Sequence, residues 1–238
     1  MPLSTSVVMI SKNEERAVGD VIAGIRRAVP DAEIVLCDSS TDRTAEIAEA
    51  GGARVIRQVP PRGYGPAMEA ALRAATRDVI VTMDCDGTYP ADAIPALVGL
   101  VEQGFDLVNA SRLWQRPEAM PLANFLANAT FALTTRLLHG LPVTDVHSGM
   151  RAYRRSKLCE LAFDPHGPAL PVELLIKPAR EGWRVAEIGI DYHERVGVTT
   201  LDRFRSTVWT FRRIGRLLGT GRRVRANQFE RIGRGGTT

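Results

Sequence analysis

The sequence predicts an α/β fold in which helices flank a mostly parallel sheet, and three observations support this prediction. Short apolar runs alternate with helical patterns of roughly 10 to 15 residues, which is typical of βαβ units. Two of these runs lead directly into polar segments, "DSSTD" and "DCDGTYP", at the strand ends where α/β proteins bind ligands. The 238 residues are 45% hydrophobic and 24% charged, an ordinary globular composition.

The first half of the chain supplies the regular part of this pattern. A strand over residues 7–10 ("VVMI") precedes a helix over 14–28, in which Val18, Val21, Ile22 and Ile25 share one face. The alternation continues with strands over residues 33–37, 53–59, 78–83 and 107–110, and with helices over 41–50, 64–75 and 90–103.

The second half is less regular. The pattern predicts helices over residues 122–138, 172–181 and 200–218, a strand over 185–190, and a disordered end, "RIGRGGTT". The sequence has no internal repeat and no Ser/Gly-rich linker. We therefore expect one domain over residues 1–200, followed by a basic amphipathic helix and a disordered tail over residues 201–238.

Targeting signals are missing from the sequence as given. The start, "MPLSTSVVMIS", lacks the basic and apolar segments of a signal peptide. The longest uncharged run, residues 119–135, contains Pro121 and Asn124 and is shorter than the roughly 20 apolar residues that span a bilayer. Three isolated cysteines suggest neither a disulfide framework nor a zinc site. We expect a soluble, cytoplasmic protein.

Two aspartates follow the apolar strand over residues 78–83. Asp84 and Asp86 are spaced i, i+2, and at close range they repel each other unless a cation lies between them. Mg²⁺ and Mn²⁺ prefer such oxygen ligands and often complete their shell with substrate phosphates. The alternative is a solvated turn, since Asp-Gly-Thr is common turn chemistry. The position after a buried strand favours the metal site.

Two further segments place polar groups near the same edge. Asp38 directly follows the strand over residues 33–37. It either accepts hydrogen bonds from a nucleoside or belongs to the cap of the next helix. The loop "PPRGYGP" lacks the third glycine of a dinucleotide-binding motif. It can still bring its backbone and Arg62 near phosphates.

Six stretches match one known pattern in order and spacing: "VVMISKNEE", "EIVLCDSSTDRTAEIA", "PRGYGPAMEAALRAA", "DVIVTMDCDGTYPADAIPALV", "NASRLW" and "TDVHSGMRAYRRSKL". On these motifs the chain resembles family 2 glycosyltransferases of the GT-A fold over roughly residues 5–200. The resemblance is greatest to polyprenyl-phosphate sugar synthases of the dolichol-phosphate mannosyltransferase type. The combination of "MDCDGTYP" with "DVHSGMRAYRR" is specific, whereas each piece alone is not.

This resemblance implies an inverting sugar transfer from a UDP- or GDP-linked donor with Mg²⁺ or Mn²⁺. The family's metal- and diphosphate-binding motif falls on Asp84 and Asp86, and its base-contacting acid falls on Asp38. Arg112 would face a phosphate, and Arg195 matches the first residue of the late family motif R-x-G-x-S-K.

Three positions depart from the family pattern. Cys37 stands where the first of two acids is often found, so the choice between UDP and GDP stays open. Thr88 replaces a Gln that is common in the polyprenyl-phosphate enzymes. Thr200 stands where the late motif has Lys, which keeps a soluble small-molecule acceptor as an alternative to polyprenyl phosphate.

The catalytic candidates depend on the acceptor. A phosphate acceptor is already ionised, whereas a hydroxyl acceptor needs a carboxylate base. The resemblance puts Asp145 near the reacting centre with Arg151 close by, and Glu173 is a second candidate base. Alternatively, Glu173 is a helix N-terminal charge favoured by the helix dipole. His147 and His193 either add a metal ligand or are simply hydrogen-bonded.

Most of the basic character belongs to the end of the chain. Residues 201–238 contain ten Arg and no Lys against Asp202 and Glu230, a net charge of +8 in a chain whose total is +4. Within the predicted helix, apolar residues and arginines occupy different faces. The apolar set is Phe204, Val208, Phe211 and Leu218, and the basic set is Arg203, Arg205, Arg212, Arg213 and Arg216. This pattern indicates a peripheral helix on an anionic membrane, or a helix whose apolar face packs on the core.

Two other classes stay open. A sugar nucleotidyltransferase also uses paired aspartates, but it typically opens with a Gly-rich loop that "STSVVMISKNEE" lacks. A non-catalytic protein could bind nucleic acid through the basic tail. We expect no nucleic-acid partner, because the tail after the predicted helix, residues 219–238, has no aromatic residue among its arginines beyond Phe229 and carries no nucleic-acid motif.

Overall fold

The computed structural model describes residues 2–167, 169–197 and 203–233, with the side chains of residues 203–205 left out. It confirms the predicted α/β fold, because a mostly parallel sheet of eight strands is flanked by helices. The strands are β1 (Thr5–Ser11), β2 (Glu33–Asp38), β3 (Arg54–Arg57), β4 (Val79–Thr82), β5 (Leu107–Ser111), β6 (Arg151–Arg154), β7 (Val185–Gly189) and β8 (Phe229–Arg231).

The helices lie between these strands and after β7. They are α1 (Val18–Ala28), α2 (Thr44–Ala50), α3 (Tyr64–Ala74), α4 (Ile94–Glu102), α5 (Leu122–His139), α6 (Arg155–Glu160), α7 (Leu170–Arg180) and α8 (Arg203–Arg216). Short 3₁₀ turns cover Ala91–Ala93, Leu217–Gly219 and Ala226–Gln228. The predicted helix over residues 90–103 is thus a 3₁₀ turn followed by α4.

The strand order is β3-β2-β1-β4-β6-β5-β7-β8. Only β6 runs antiparallel to its neighbours, pairing with β4 and β5, while the other described pairs are parallel. Arg151, the first residue of β6, is therefore in register with Thr82 at the end of β4 and with Asn109 in β5. This reversal brings the segment before β6 to the edge where the parallel strands end.

Side chains alternate between the two faces of the sheet and form a core on each. Val8, Val35 and Ile80 pack in the layer that contains α3, α5 and α7. Val7 and Val81 pack in the opposite layer with α1 and α4. Strands covered on both faces are almost wholly apolar, which explains why β1, β2, β4 and β5 were visible as apolar runs.

Three elements were not predicted. β6 and α6 occupy residues that the sequence pattern left unassigned, because "RAYR" carries an arginine at each end. β8 lies at the edge of the sheet beside β7, and Ile232 N–H extends the pairing to the Glu187 carbonyl. The predicted disorder is therefore wrong for Arg231, while residues 234–238 lie outside the described part of the chain.

The chain after α8 is held along α5 and α7. Val224 N–H donates to the carbonyl of His139, and Arg222 N–H donates to the carbonyl of Arg180. The Arg180 guanidinium in turn donates to the carbonyls of Leu218 and Thr220. The predicted helix over residues 200–218 is found as α8 and the following turn, although residues 200–202 and the side chains of Arg203, Phe204 and Arg205 lie outside the description.

Among the described residues, none of the helices combines the length and the hydropathy needed to cross a bilayer.

Candidate active site

A cleft of about 500 Å³ opens where β4 and β5 end. Four of the predicted site residues line it, namely Asp84, Asp86, Arg112 and Arg195. Its remaining walls come from the start of α3, from α5 and the loop that precedes it, from the loop before β6, from the segment after β7, and from α8. These walls include Tyr64, Met120, Asn124, Asn128, Phe131, His147, Gly149, Tyr192, Ser206 and Thr210.

Asp86 is held by the turn that it begins. One carboxylate oxygen accepts hydrogen bonds from the Thr88 N–H at 3.1 Å and from the Thr88 hydroxyl at 2.6 Å. The other oxygen lies 3.3 Å from Nη1 of Arg195. Thr88 therefore orients Asp86, whose second oxygen is directed at the Arg195 guanidinium.

Asp84 lies against the backbone of Gly149, from the "DVHSGMR" segment. A Cβ atom at Gly149 would come within 2.9 Å of both Asp84 carboxylate oxygens, so only glycine fits without displacement. The Gly149 N–H donates to the Tyr89 hydroxyl at 2.7 Å, which fixes this approach. Burial, followed by repulsion from Asp86, raises the pKa of Asp84. The nearby arginines thus compensate the negative charge of Asp84 only in part.

Asp84 and Asp86 suit Mg²⁺ or Mn²⁺, which take some of their ligands from water and substrate. They suit less well a metal whose ligands all come from the protein. The described residues contain no cluster of three or more His, Cys, Asp or Glu side chains arranged to hold a metal. Two carboxylates, with the remaining positions taken by water and substrate phosphates, are the usual set for Mg²⁺. Asp84 and Asp86 would supply those two ligands and would lose their mutual repulsion.

Arg195 connects the end of the sheet to the β1–α1 loop. Its guanidinium donates to Glu14 at 2.7 Å in addition to its contact with Asp86. The backbone N–H groups of His193 and Val196 donate to the carbonyls of Thr88 and Asp86, so this segment runs along the aspartate loop. Arg195 thus lies at the end of the cleft that contains Asp86, while residues 198–200 of "RVGVTT" lie outside the described residues.

Glu14 is a site residue that we did not predict. Burial raises its pKa despite the opposing charge of Arg195. Glu14 follows the end of β1, at the same edge of the sheet where β2 ends with Asp38 and where Asp84 follows β4. The rule that polar residues gather after parallel strands, if applied to "SKNEE", would have found it.

Arg112 and Asp145 form a buried ion pair. Arg112 donates from Nε at 2.6 Å and from Nη2 at 3.0 Å to the two carboxylate oxygens, and its backbone N–H donates at 3.2 Å. The Arg112 guanidinium carbon also lies 5.3 Å from the ring centroid of Tyr192 and 5.9 Å from that of Tyr89. Arg112 is thereby fixed with its guanidinium at the cleft.

Asp145 lies behind Arg112 and does not line the cleft. Burial alone would raise its pKa, but the charge and hydrogen bonds of Arg112 outweigh burial and hold the pKa below its usual value. Asp145 therefore lies directly behind the cleft wall, and its expected place near the reacting centre stays a prediction. Its carboxylate positions Arg112.

Arg151 and Glu173 are also buried away from the cleft. Arg151 donates to the Asn109 side chain at 2.7 Å and to the Val146 carbonyl at 2.8 Å, and it also reaches the Pro171 carbonyl. Glu173 pairs with Arg213 of α8 and accepts the Asp164 N–H at 3.0 Å. Arg151 holds the loop before β6, and Glu173 joins α7 to α8. A catalytic role for either residue stays a prediction.

Asp38 and Arg62 are not brought to the aspartate pair either. Asp38 is fully buried, and its carboxylate accepts hydrogen bonds from the hydroxyls of Ser11 and Ser40 and from Arg57. Arg57 itself is half-exposed and forms the outer surface of this group. Arg62 is exposed in the loop before α3 and does not line the cleft.

The two candidate histidines line different cavities. His147 lies in the cleft, 2.7 Å from the Thr210 hydroxyl and edge-on to Phe131. Burial lowers the pKa of His147 to about 4, so it is a neutral hydrogen-bonding group at pH 7. His193 is exposed beside Asp191 and Glu194 on a neighbouring cavity. Neither belongs to a metal-binding cluster of the described chain.

The family model for "Glycosyl transferase family 2" matches residues 6–161. A dolichyl-phosphate hexose transferase of Haloferax volcanii is 46% identical over 200 residues, covering 84% of this chain and 87% of that protein. An undecaprenyl-phosphate mannosyltransferase of Micrococcus luteus is 29% identical over 197 residues, covering 77% of this chain and 81% of that protein.

Solved structures agree with these sequence comparisons. Glucosyl-3-phosphoglycerate synthase from Mycobacterium tuberculosis, in complex with UDP, superimposes with a TM-score of 0.74 at 25% identity, covering 92% of this chain and 81% of that chain. The same enzyme in complex with Mn²⁺, UDP and phosphoglyceric acid gives a TM-score of 0.71 at 27% identity, with coverages of 92% and 79%. The fold is therefore that of GT-A glycosyltransferases.

Proposed function

This chain belongs to glycosyl transferase family 2 and is a glycosyltransferase, and we propose that it transfers a sugar, with inversion, from a nucleotide diphosphate to a polyprenyl phosphate. Membership in this family decides against the sugar nucleotidyltransferase and the nucleic-acid-binding protein that the sequence alone left open. The donor would be UDP- or GDP-linked and the metal Mg²⁺ or Mn²⁺.

Asp84 and Asp86 are the residues that would hold the metal, which neutralises charge developing on the departing diphosphate. Arg112 and Arg195 line the same cleft and supply fixed positive charge for phosphate oxygens. Both arginines are oriented beforehand, Arg112 by Asp145 and Arg195 by Glu14. Donors fixed before the reaction stabilise a leaving group without having to reorganise.

The observation that carries the choice of acceptor is that, among the described residues, no carboxylate of the main cleft is left free to act as a base. Among the described residues, the carboxylates that line this cleft are Asp84 and Asp86, which we assign to the metal. Asp145 is occupied by Arg112, and Glu173 by Arg213. A phosphate acceptor is ionised at neutral pH and attacks without a base, whereas a hydroxyl acceptor needs one. The named relatives that act on dolichyl and undecaprenyl phosphates favour the same acceptor.

A soluble hydroxyl acceptor is the second candidate. The glucosyl-3-phosphoglycerate synthase has been crystallised with phosphoglyceric acid, and its fold covers most of this chain. Thr200, in place of the family Lys, favours the same alternative on sequence grounds. With a polyprenyl acceptor the enzyme would instead work as a peripheral protein at a membrane surface.

A comparison of three acceptors separates the lipid-phosphate proposal from the soluble-acceptor alternative. The full chain is incubated with UDP- and GDP-sugars and Mn²⁺, Mg²⁺ or EDTA, and products are identified by mass spectrometry. The acceptors are a short-chain polyprenyl phosphate, the corresponding polyprenol, and 3-phosphoglycerate. We expect metal-dependent transfer to the polyprenyl phosphate and none to the polyprenol. Transfer to 3-phosphoglycerate alone would overturn the lipid proposal and establish the second candidate.

A further inference from the structure

One face of α5 exposes an aligned row of leucines. Leu122, Leu126, Leu133 and Leu137 are 51%, 55%, 56% and 63% exposed. At 3.6 residues per turn, these four positions fall within about 60° of one another around the helix. Single exposed leucines are ordinary, but a contiguous apolar surface of this kind marks an interaction site.

Positive charge accompanies this leucine row. α5 contains no Asp or Glu, and its Arg136 is exposed in the last turn. Arg223 lies beside the same end of the helix, with Nη2 3.4 Å from the Leu137 carbonyl. An apolar stripe bordered by arginines and lacking carboxylates complements an anionic lipid surface, where each basic residue adds attraction.

The opposite face of α5 forms a wall of the cleft. Asn124, Ala127, Asn128 and Phe131 line it between the leucine row and the aspartate pair. A helix with its side chains is about 10 Å across. If the leucine row entered the head-group region, the cleft would lie one helix diameter from the interface.

The amphipathic segment predicted from the sequence, α8, is less well placed. Thr210, Arg213, Ile214 and Leu217 are buried, and His139 of α5 hydrogen-bonds to the Ile214 carbonyl at 3.0 Å. Much of the apolar face of α8 therefore packs against the core. Phe211 and Leu218 are partly exposed, at 40% and 45%, but they are isolated compared with the four leucines.

We propose that the leucine row of α5 docks on an anionic membrane surface and thereby holds the cleft at the level of a lipid-linked acceptor. This inference rests on the proposed function for the identity of the acceptor, and on the exposed leucines and the arginines for the surface.

The test compares Leu126→Gln/Leu133→Gln with Val59→Gln. Gln keeps the helix propensity of α5, and Val59 is an apolar side chain of matched exposure, 56%, in the loop between β3 and α3. Binding of the full chain to vesicles of neutral lipid, and of neutral lipid with 30% phosphatidylglycerol, is measured by co-sedimentation at low and high salt. Turnover is measured in parallel with vesicle-embedded polyprenyl phosphate and with a short, water-soluble prenyl phosphate.

We expect wild type and Val59→Gln to bind the anionic vesicles at low salt, and the double variant to bind at least tenfold more weakly. Its turnover should fall with the vesicle-embedded acceptor and stay unchanged with the soluble one. Equal binding by the double variant, or no vesicle binding by wild type, would overturn the proposal. A wild-type dimer that the double variant dissociates, without vesicle binding, would assign the surface to a second copy. Normal vesicle docking without transfer to either prenyl phosphate would instead refute the proposed function alone.

Discussion

Replacing Asp145 with Asn separates a positioning role from a catalytic one. The substitution keeps the shape of the side chain but removes its charge. It leaves the Arg112 guanidinium, whose side chain is 11% exposed, opposite a neutral amide that also presents N–H donors. Both strong hydrogen bonds, at 2.6 Å and 3.0 Å, are affected.

The size of the effect follows from this burial. Removing one partner of a buried ion pair typically costs about 3–5 kcal/mol. The lower figure, about 3 kcal/mol, corresponds to a change of roughly 150-fold in the folding equilibrium. In a chain of this size, each kcal/mol lowers the Tm by about 2–4 °C. We therefore expect the Tm of Asp145→Asn to fall by about 6–12 °C.

Thermal unfolding of Asp145→Asn, Arg112→Gln and the double variant measures the coupling. Because the double variant removes both charges of this pair, neither is left buried without its partner, and its loss should be smaller than the sum of the two single losses. The folded pKa of Asp145 is depressed, so its contribution is present above the unfolded pKa of about 4 and is lost as the pH falls through the folded value. Asp145→Asn should lack this acid-dependent part of the unfolding curve.

Removing a general base lowers turnover by on the order of 10²-fold. We expect Asp145→Asn to lower turnover with a polyprenyl phosphate by less than this. A Tm within 1 °C of wild type together with a larger loss of kcat would refute the positioning role and restore Asp145 as a base.

Three further predictions concern the donor site. Asp86→Asn should abolish metal-dependent binding of the nucleotide sugar while leaving the Tm nearly unchanged, and near-normal turnover would show that Asp86 does not hold the metal. Gly149→Ala should weaken Mn²⁺ binding by more than tenfold in calorimetry, because its Cβ would lie 2.9 Å from the Asp84 oxygens, whereas Gly99→Ala, with open space around its Cβ, should bind Mn²⁺ as wild type does. Asp38→Ala should weaken UDP or GDP binding much more than pyrophosphate binding, and equal weakening of both would remove Asp38 from the nucleoside pocket.

The regular half of the fold was predictable because its physics is local. Strands buried on both faces must be apolar along their length, so β1, β2, β4 and β5 stand out in the sequence. β6 is equally central, yet it begins with Arg151. That arginine is tolerated only because its guanidinium donates to Asn109, Val146 and Pro171. Two of these partners, Asn109 and Pro171, lie 42 and 20 residues away in the sequence.

The candidate site divides along the same line. The i, i+2 spacing after β4 located the aspartate pair, because the carboxyl end of a parallel strand is where such residues gather. Nothing local could show that Asp145 faces Arg112 or that Glu173 faces Arg213, since those partners come from other elements. Periodicity likewise shows which residues share a helix face, but not which face is covered. For that reason the sequence pattern pointed to α8 as the candidate membrane-binding helix, whereas the exposed row of leucines lies on α5.

The course of the chain after α8 determines how the basic tail can be studied. β8 covers one edge of β7, and the preceding residues are tied to His139 and Arg180. Deleting residues 201–238 would therefore remove a net charge of +8 and at the same time expose the edge of β7, which invites aggregation. A truncated protein that sediments with vesicles, or fails to, would report on misfolding as much as on lipid attraction. Neutralising exposed arginines one at a time, for example Arg222→Gln, leaves the β8 edge in place and keeps charge and fold as separate variables.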